Sequence, residues 1–206
     1  MSDRDDNIDE EDEEIKVILV GEMGTGKTSL INTAIGLKFQ EKLASTTTNS
    51  IMNKTMKVNG KTYSVNLWDT IGQEKYRSLT KIFLKGSKIV IFVYDITSHK
   101  SIDELKNYWV KDIESKLGND IIKGVVANKI DLYLEEEVKE DEGEEFAKSI
   151  DAKFLTISAK TDNADKFKKY ITELVEDFLL SGLNTGSDRI TLSTNTHNKN
   201  NKNCCK

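Results

Sequence analysis

The chain has 206 residues, 37% of them apolar, and a formal net charge of −5, which suits one soluble domain and excludes a wholly disordered protein. The longest uninterrupted apolar run, Ile89 to Tyr94, has six residues, whereas a membrane-spanning helix needs about 20. No apolar stretch follows the first residues, so we expect no secretory signal peptide and a cytosolic chain. The two cysteines, Cys204 and Cys205, are adjacent, which excludes a disulfide-built scaffold.

Charge is distributed unevenly along the chain. Residues 1–14 carry nine acidic side chains against one arginine, and residues 182–206 carry a net charge of +3. Because both segments are poor in apolar residues, they predict a disordered acidic leader over 1–14 and a flexible tail over 182–206. The domain between them, 15–181, is close to neutral. A nucleic-acid-binding protein usually presents a basic face, so we expect no nucleic-acid partner.

Strand-like and helix-like segments alternate through the domain. In chain order, strands are predicted at 15–20, 52–58, 62–68, 89–94, 121–127 and 154–157, and helices at 27–35, 101–117, 136–149 and 164–180. Asn59-Gly60, between the second and third strands, predicts a hairpin. The later strands, including 154–157, are apolar runs typical of strands buried on both faces. We predict an α/β fold with a six-stranded, mostly parallel sheet, one antiparallel edge strand and helices on both faces.

The segment after the first strand, Gly21-Glu-Met-Gly-Thr-Gly-Lys-Thr28, matches the phosphate-loop pattern G-x-x-x-x-G-K-[ST]. Between a strand and a helix, such a loop directs backbone N–H groups at phosphate oxygens, although a chance glycine-rich turn is the alternative. We expect Lys27 to reach the β- and γ-phosphates and the Thr28 hydroxyl to bind Mg²⁺, in a phosphate-loop nucleotidase fold. The predicted nucleotide contacts of this loop are Met23, Gly24, Thr25, Gly26, Lys27, Thr28 and Ser29.

A second group of candidate residues follows the third strand. Asp69 ends that strand and is placed to hold Mg²⁺, as the second acidic element of a phosphate-loop nucleotidase does. Gly72 can direct its N–H at a γ-phosphate, and Gln73 can orient a water molecule for in-line attack. On its own, such a segment would more often be an exposed loop.

The segment Asn128-Lys-Ile-Asp131 follows the fifth strand. The Asp131 carboxylate can accept bonds from the N1–H and 2-amino groups of guanine, whereas adenine has neither donor there. Asn128 and Lys129 would brace the loop and cover the base. After the last strand come three further candidates, Ser158, Ala159 with its N–H toward guanine O6, and Lys160. Together these elements predict a site for GTP and GDP.

From about residue 15 to 180 the chain resembles a Ras-superfamily small GTPase of the Rab family. The motifs are Gly-x-x-Gly-x-Gly-Lys-Thr-Ser at 21–29, Trp-Asp-Thr-x-Gly-Gln-Glu-x-x-Arg at 68–77, Val-Tyr-Asp-Ile-Thr at 93–97, Asn-Lys-x-Asp-Leu at 128–132 and Ser-Ala-Lys at 158–160. The resemblance implies that Thr46 joins Thr28 and Asp69 at Mg²⁺ and bonds the γ-phosphate only when GTP is present. It also implies that Phe39 stacks on guanine and that Gln73 and Lys27 are the catalytic residues.

The same resemblance implies a biological setting. It suggests a monomeric GTP/GDP switch that regulates vesicle traffic on the cytoplasmic face of an endomembrane and cycles with the cytosol. Its partners would be exchange factors, GTPase-activating proteins, escort or GDP-dissociation-inhibitor-type proteins, and effectors. The ending Cys204-Cys205-Lys206 is similar to tails that receive two geranylgeranyl groups. A farnesyl signal would need its cysteine where Asn203 stands, and a metal site would need more ligands.

Two departures from the family pattern affect the expected activity. Met23 stands where the family usually has a small residue, and its bulk would crowd Gln73 and the attacking water, which predicts slow hydrolysis. Alternatively, the flexible side chain bends outward without effect. Residues 47–51 read Thr-Thr-Asn-Ser-Ile in place of the usual Ile-Gly-Val-Asp-Phe, so the effectors are not predicted. A GTP-locked, non-hydrolysing membrane scaffold and a Ras-like signalling GTPase outside traffic remain as alternative functions.

Overall fold

The computed structural model describes residues 14–41, 50–70, 83–162 and 164–183. Almost all of the predicted leader and tail lie outside these ranges, so their disorder stays a prediction. The described part contains a six-stranded sheet whose strands are, in chain order, β1 (Glu14–Val20), β2 (Ser50–Val58), β3 (Lys61–Asp69), β4 (Ile89–Asp95), β5 (Ile122–Asn128) and β6 (Lys153–Ile157).

The strand order across the sheet is β2-β3-β1-β4-β5-β6. Strand β2 is antiparallel to β3, and every other neighbouring pair is parallel. The antiparallel pair turns at Asn59 and Gly60, whose φ angles of 49° and 82° both lie in the left-handed region that a tight two-residue hairpin turn requires. This arrangement confirms the predicted sheet and its antiparallel edge.

The helices are α1 (Lys27–Ala34), α2 (His99–Glu104), α3 (Val110–Leu117), α4 (Glu140–Ser149) and α5 (Ala164–Leu180). A π-helical turn, Leu105–Trp109, joins α2 to α3, and a 3-10 helix, Ile130–Glu135, precedes α4. The prediction of a helix from residue 136 was wrong at its start. The backbone N–H groups of Glu137 and Val138 both donate to the Ile96 carbonyl, which holds these residues in a non-helical connection until Lys139.

Helices cover both faces of the sheet, as predicted. On one face α1 and α5 contribute buried side chains such as Leu30, Phe167 and Leu174 to a core shared with β1 and β3. On the other face α2, the π-helical turn, α3 and α4 contribute Ile102, Trp109, Ile113 and Phe146. Burial of such side chains stabilises the fold by about 1.5–3 kcal/mol each.

The strands differ in burial according to their position in the sheet. All seven residues of the central strand β4 are buried, which matches its continuous apolar sequence. Strand β6 was predicted to be buried as well, but only Ile157 is, and the other four residues are partly exposed. The prediction failed because β6 pairs with β5 alone and forms an edge of the sheet.

This topology places the site at the carboxyl ends of the parallel strands. Strands β3 and β4 lie on either side of β1, so the strand order reverses there, and ligands bind beyond the carboxyl ends of strands at such a point. Within the ranges that the structure describes, no helix has the length and apolar character needed to span a membrane.

Candidate functional site

The loop between β1 and α1 is fastened to the end of β5. Asn128 is 1% exposed, and its side-chain Nδ2 donates to the Thr25 carbonyl at 2.7 Å. Gly26, with φ of 92°, lies directly against the same amide, so a Cβ atom at this position would collide with Asn128 Nδ2. Glycine is therefore required here for two reasons, its left-handed backbone and its close approach to Asn128. The loop leads into α1 at Lys27, with the N-terminus of the helix at the site.

Lys27 lies inside this loop with its ammonium group enclosed by backbone oxygens. Its Nζ donates to the Gly21 carbonyl at 2.9 Å and to the Glu22 carbonyl at 2.8 Å, and the residue is only 5% exposed. Burial lowers the pKa of Lys27 to about 8, although the carboxylates of Asp69 and Glu22 act in the opposite direction. A phosphate group in the loop would give this ammonium group an anionic hydrogen-bond acceptor in place of neutral carbonyls.

Two side-chain oxygen atoms of the kind that bind hard cations lie next to each other beside Lys27. The Thr28 hydroxyl donates to Asp69 Oδ2 at 2.6 Å, and Asp69 is 1% exposed at the end of β3. Next to it, the Thr70 hydroxyl donates to the Leu19 carbonyl at 2.6 Å and holds the end of β3 against β1. Mg²⁺ commonly takes one or two protein oxygens and obtains its other ligands from phosphates and water. Thr28 and Asp69 fit that requirement.

A second set of contacts organises the loops that follow β5 and β6. The Ser158 hydroxyl donates to Asp131 Oδ1 at 2.6 Å, and the Ser158 N–H donates to Asp162 Oδ2 at 2.7 Å. The Ala159 N–H, which was predicted to face guanine O6, donates to Asn128 Oδ1 at 3.1 Å. Asn128 therefore connects three segments: the phosphate loop, the end of β5 and the loop after β6.

Asp95 supports the lining residue Lys129 and was not predicted from the sequence to have a role. It ends β4 and is 7% exposed, and its Oδ2 lies 2.5 Å from Lys129 Nζ. Its Oδ1 accepts from the N–H of Thr97 at 2.9 Å and from the Thr97 hydroxyl at 2.8 Å. The ion pair fixes the Lys129 side chain while neutralising its charge. The signal was present, since Asp95 is an acid at the end of a buried strand, within Val-Tyr-Asp-Ile-Thr.

These elements enclose a cavity of about 470 Å³. Twelve of the lining residues were predicted from the sequence, namely Met23, Gly24, Gly26, Lys27, Thr28, Ser29, Phe39, Asn128, Lys129, Asp131, Ala159 and Lys160. Four further lining residues were missed: Gln40, Glu41, Thr70 and Leu132. The other described candidates, Thr25, Asp69 and Ser158, are not among the lining residues; each is 1% exposed, and their side chains make hydrogen bonds within the site.

Five candidate residues lie outside the described ranges: Thr46, Gly72, Gln73, Cys204 and Cys205. Their roles stay predictions. Among the described residues, no cluster of three or more His, Cys, Asp or Glu side chains forms a metal site of protein ligands alone.

Comparison with known proteins identifies the family. The Ras family model matches residues 16–179. Ras-related protein RabC of Dictyostelium discoideum is 35% identical over 192 residues, which cover 92% of this chain and 96% of the relative. RABC2b of Arabidopsis thaliana is 40% identical over 147 residues, which cover 71% of each chain.

The similarity to human Rab-21 is higher but shorter. It amounts to 41% identity over 145 residues, which cover 70% of this chain and 64% of the relative, just under two thirds of its length. The family model covers the phosphate loop and the segments that follow β3, β4, β5 and β6, and the match to RabC extends over nearly the full length of both chains. The chain therefore belongs to the Ras family and, within it, to the Rab-type small GTPases.

Proposed function

We propose that the protein binds GTP and GDP in this cavity, hydrolyses GTP with Mg²⁺, and acts as a switch in vesicle traffic. The observation that carries the proposal is the convergence of two sets of residues on one cavity. Lys27 and Thr28 of the phosphate loop line one part of it, while Lys129, Asp131 and Ala159 line another. The first set suits a polyphosphate, and the second set suits a guanine base.

Catalysis in this site would be electrostatic and positional. The Lys27 ammonium and the N-terminus of α1 would neutralise charge on the β- and γ-phosphates, where charge develops during transfer. Mg²⁺, held by Thr28 and Asp69 together with Thr46, would supply further positive charge to the same phosphates. Gln73 would orient the attacking water. These roles rest on the described geometry for Lys27, Thr28 and Asp69 and on the sequence for Thr46 and Gln73.

The switch would arise from contacts that exist only with GTP. Thr46 and the Gly72 N–H would contact the γ-phosphate, and hydrolysis would release both segments. Exchange factors, activating proteins, escort proteins and effectors would read or control these states, and the Rab-named relatives support the assignment to traffic. Prenyl groups on Cys204 and Cys205 would anchor the chain to an endomembrane, because two lipids give stable attachment and one gives only marginal attachment.

We further propose that hydrolysis is slow. Met23 lines the cavity beside Gly24, in the part that would receive the phosphates, and its side chain is 55% exposed. A side chain of this size at the open side of the phosphate loop would compete for space with the attacking water. The extreme case, a protein locked with GTP, is distinguished by measuring turnover of bound GTP with and without cell extract.

The guanine assignment is tested with Asp131→Asn. The purified wild-type chain should retain GDP or GTP in magnesium buffer and reject adenosine nucleotides. An amide at position 131 cannot accept both guanine donors, so the variant should lose affinity for GDP by roughly 100-fold or more. It should gain affinity for xanthosine diphosphate, whose 2-carbonyl can accept from the new amide.

The matched control is Asp120→Asn. Asp120 is an exposed aspartate just before the amino end of β5, at the end of the strand away from the cavity. This variant should keep the wild-type preference for GDP over xanthosine diphosphate. Equal retention of ATP and GTP by the wild type, or no retention of either, would overturn the proposed function.

A further inference from the structure

An ion pair lies at the mouth of the cavity and was not anticipated from the sequence. Lys160 Nζ lies 2.8 Å from Glu41 Oε1, although the two residues are 119 positions apart in the chain. Both residues line the cavity. Their side chains are 47% and 71% exposed, so the pair stands at the rim and not in the interior.

The pair joins two segments that approach the cavity from different parts of the fold. Glu41 belongs to the segment after α1 that also contains Phe39, another lining residue, which packs partly buried against the core formed by α1 and α5. Lys160 belongs to the loop after β6, next to Ala159 and across from Asp131. The ion pair therefore connects the Phe39 segment with the loops at the guanine-side part of the cavity.

The Lys160 side of this connection is hydrogen-bonded within its own loop. The Lys160 N–H donates to Ser158 Oγ at 3.1 Å, and the same hydroxyl donates to Asp131 at 2.6 Å. The pKa values of both partners shift in the direction that favours their charged forms. The hydrogen bond with Lys160 lowers the pKa of Glu41, and the bond with Glu41 raises the pKa of Lys160.

We propose that the Glu41–Lys160 ion pair is a latch that slows the release of guanine nucleotide by holding the Phe39 segment against the loop after β6. This inference rests on the proposed nucleotide function. A base leaving the cavity requires the rim to open, and the rim opens when the Phe39 segment and the loop after β6 separate. The pair breaks before the nucleotide escapes, so removing it accelerates release.

The size of the effect follows from the exposure of the pair. Exposed ion pairs are weak, so losing this one should raise the release rate about two- to fivefold. Because the attraction is screened by salt, release from the wild type should accelerate between about 0.05 M and about 0.5 M KCl, while variants without the pair should respond much less.

The test measures release of a fluorescent GDP analogue from the full chain in magnesium buffer, chased with excess unlabelled GDP. Glu41→Gln and Lys160→Gln should each accelerate release, and the double substitution should accelerate it no more than either alone. The charge-exchanged variant, with Glu41→Lys and Lys160→Glu together, should return the rate and its salt response toward the wild type. Circular dichroism melting of each variant checks that folding is intact.

Glu144→Gln is the matched control, because it breaks the equally exposed Lys148–Glu144 pair of 3.1 Å on α4. It should leave the release rate unchanged. The latch is overturned if the wild type holds the nucleotide but Glu41→Gln releases it at the wild-type rate, or if the charge-exchanged variant releases it as fast as the single variants do. If the wild type holds no guanine nucleotide, the proposed function fails and the latch fails with it.

Discussion

At the scale of single residues, Lys27 is a residue of the proposed nucleotide site whose burial lowers the stability of the folded chain. Its ammonium group is buried and bonded to two neutral carbonyls, and burial lowers its pKa from 10.5 to about 8. The folded chain therefore carries a charge that it solvates less well than water does. Burying this charge lowers the free energy of unfolding by its full amount below about pH 8. The loss shrinks as the pH rises from about 8, where the folded chain releases the proton, toward 10.5, where the unfolded chain releases it too.

We predict that Lys27→Met stabilises the nucleotide-free protein. At pH 7 the free energy of unfolding should rise by about 1–2 kcal/mol, because the variant buries a thioether in place of a charge. The difference from the wild type should shrink between about pH 8 and pH 10.5. Urea unfolding in EDTA across this pH range measures it. Lys111→Met, at an exposed position of α3, is the control, and a difference that does not change with pH contradicts the prediction.

Met23 is the second residue whose chemistry is open to a direct test. We predict that Met23→Ser accelerates hydrolysis of bound GTP about three- to tenfold, because the smaller side chain leaves room for the water and its orienting group. Phosphate release from protein preloaded with GTP measures the rate in a single turnover. Met23→Leu, which keeps the bulk, should remain slow. Equal rates for the serine variant and the wild type would show that the methionine side chain points harmlessly outward.

At the scale of elements, α4 packs on the sheet through a glycine. A Cβ atom at Gly143 would collide with the hydroxyl of Tyr94 and would lie 2.8 Å from Phe154 Cζ. Tyr94 is fully buried on the central strand β4, so its ring has packed neighbours on every side. The close approach of α4 to β4 and β6 therefore depends on the missing side chain.

We predict that Gly143→Ala destabilises the protein although alanine is the better helix former. Overpacking against Tyr94 and Phe154 costs about 1–3 kcal/mol, which exceeds the gain of about 1 kcal/mol in helix propensity, so a net loss of about 1 kcal/mol is expected. Thermal or urea unfolding measures it. Glu145→Ala, on the exposed side of the same helix, should be neutral or stabilising. A more stable Gly143→Ala variant would mean that α4 shifts freely.

The elements also show which parts of the fold can be read from the sequence. Helix α5 has the predicted bounds, since periodicity over 17 residues is a local signal. The start of α4 and the exposure of β6 were mispredicted, because both depend on partners elsewhere: the Ile96 carbonyl for α4 and the absence of a second neighbour for β6. In the site, motif residues such as Lys27 and Asp131 were predicted, whereas Glu41 was missed because its contact spans 119 positions of sequence.

At the scale of the whole molecule, the cavity is assembled from segments that the sheet alone brings together. Its lining comes from the loops after β1, β3, β5 and β6, from the first turn of α1 and from the segment after α1, and it spans residues 23–160. A ligand that binds these segments only when they are assembled stabilises the complete domain and not one element. The free energy of unfolding should therefore depend on which nucleotide is bound and on whether Mg²⁺ is present.

We predict that GDP with Mg²⁺ at about 100 times its dissociation constant stabilises the protein by about 2.7 kcal/mol, which corresponds to a rise in Tm of about 5–10 °C. ATP should produce no rise, and EDTA should reduce the GDP effect because Thr28 and Asp69 would lose the cation they share with the phosphates. Differential scanning calorimetry measures the shift. In Asp131→Asn the rise should move from GDP to xanthosine diphosphate. An unchanged GDP response in that variant would mean that the stabilisation comes from the phosphates alone and that Asp131 does not select the base.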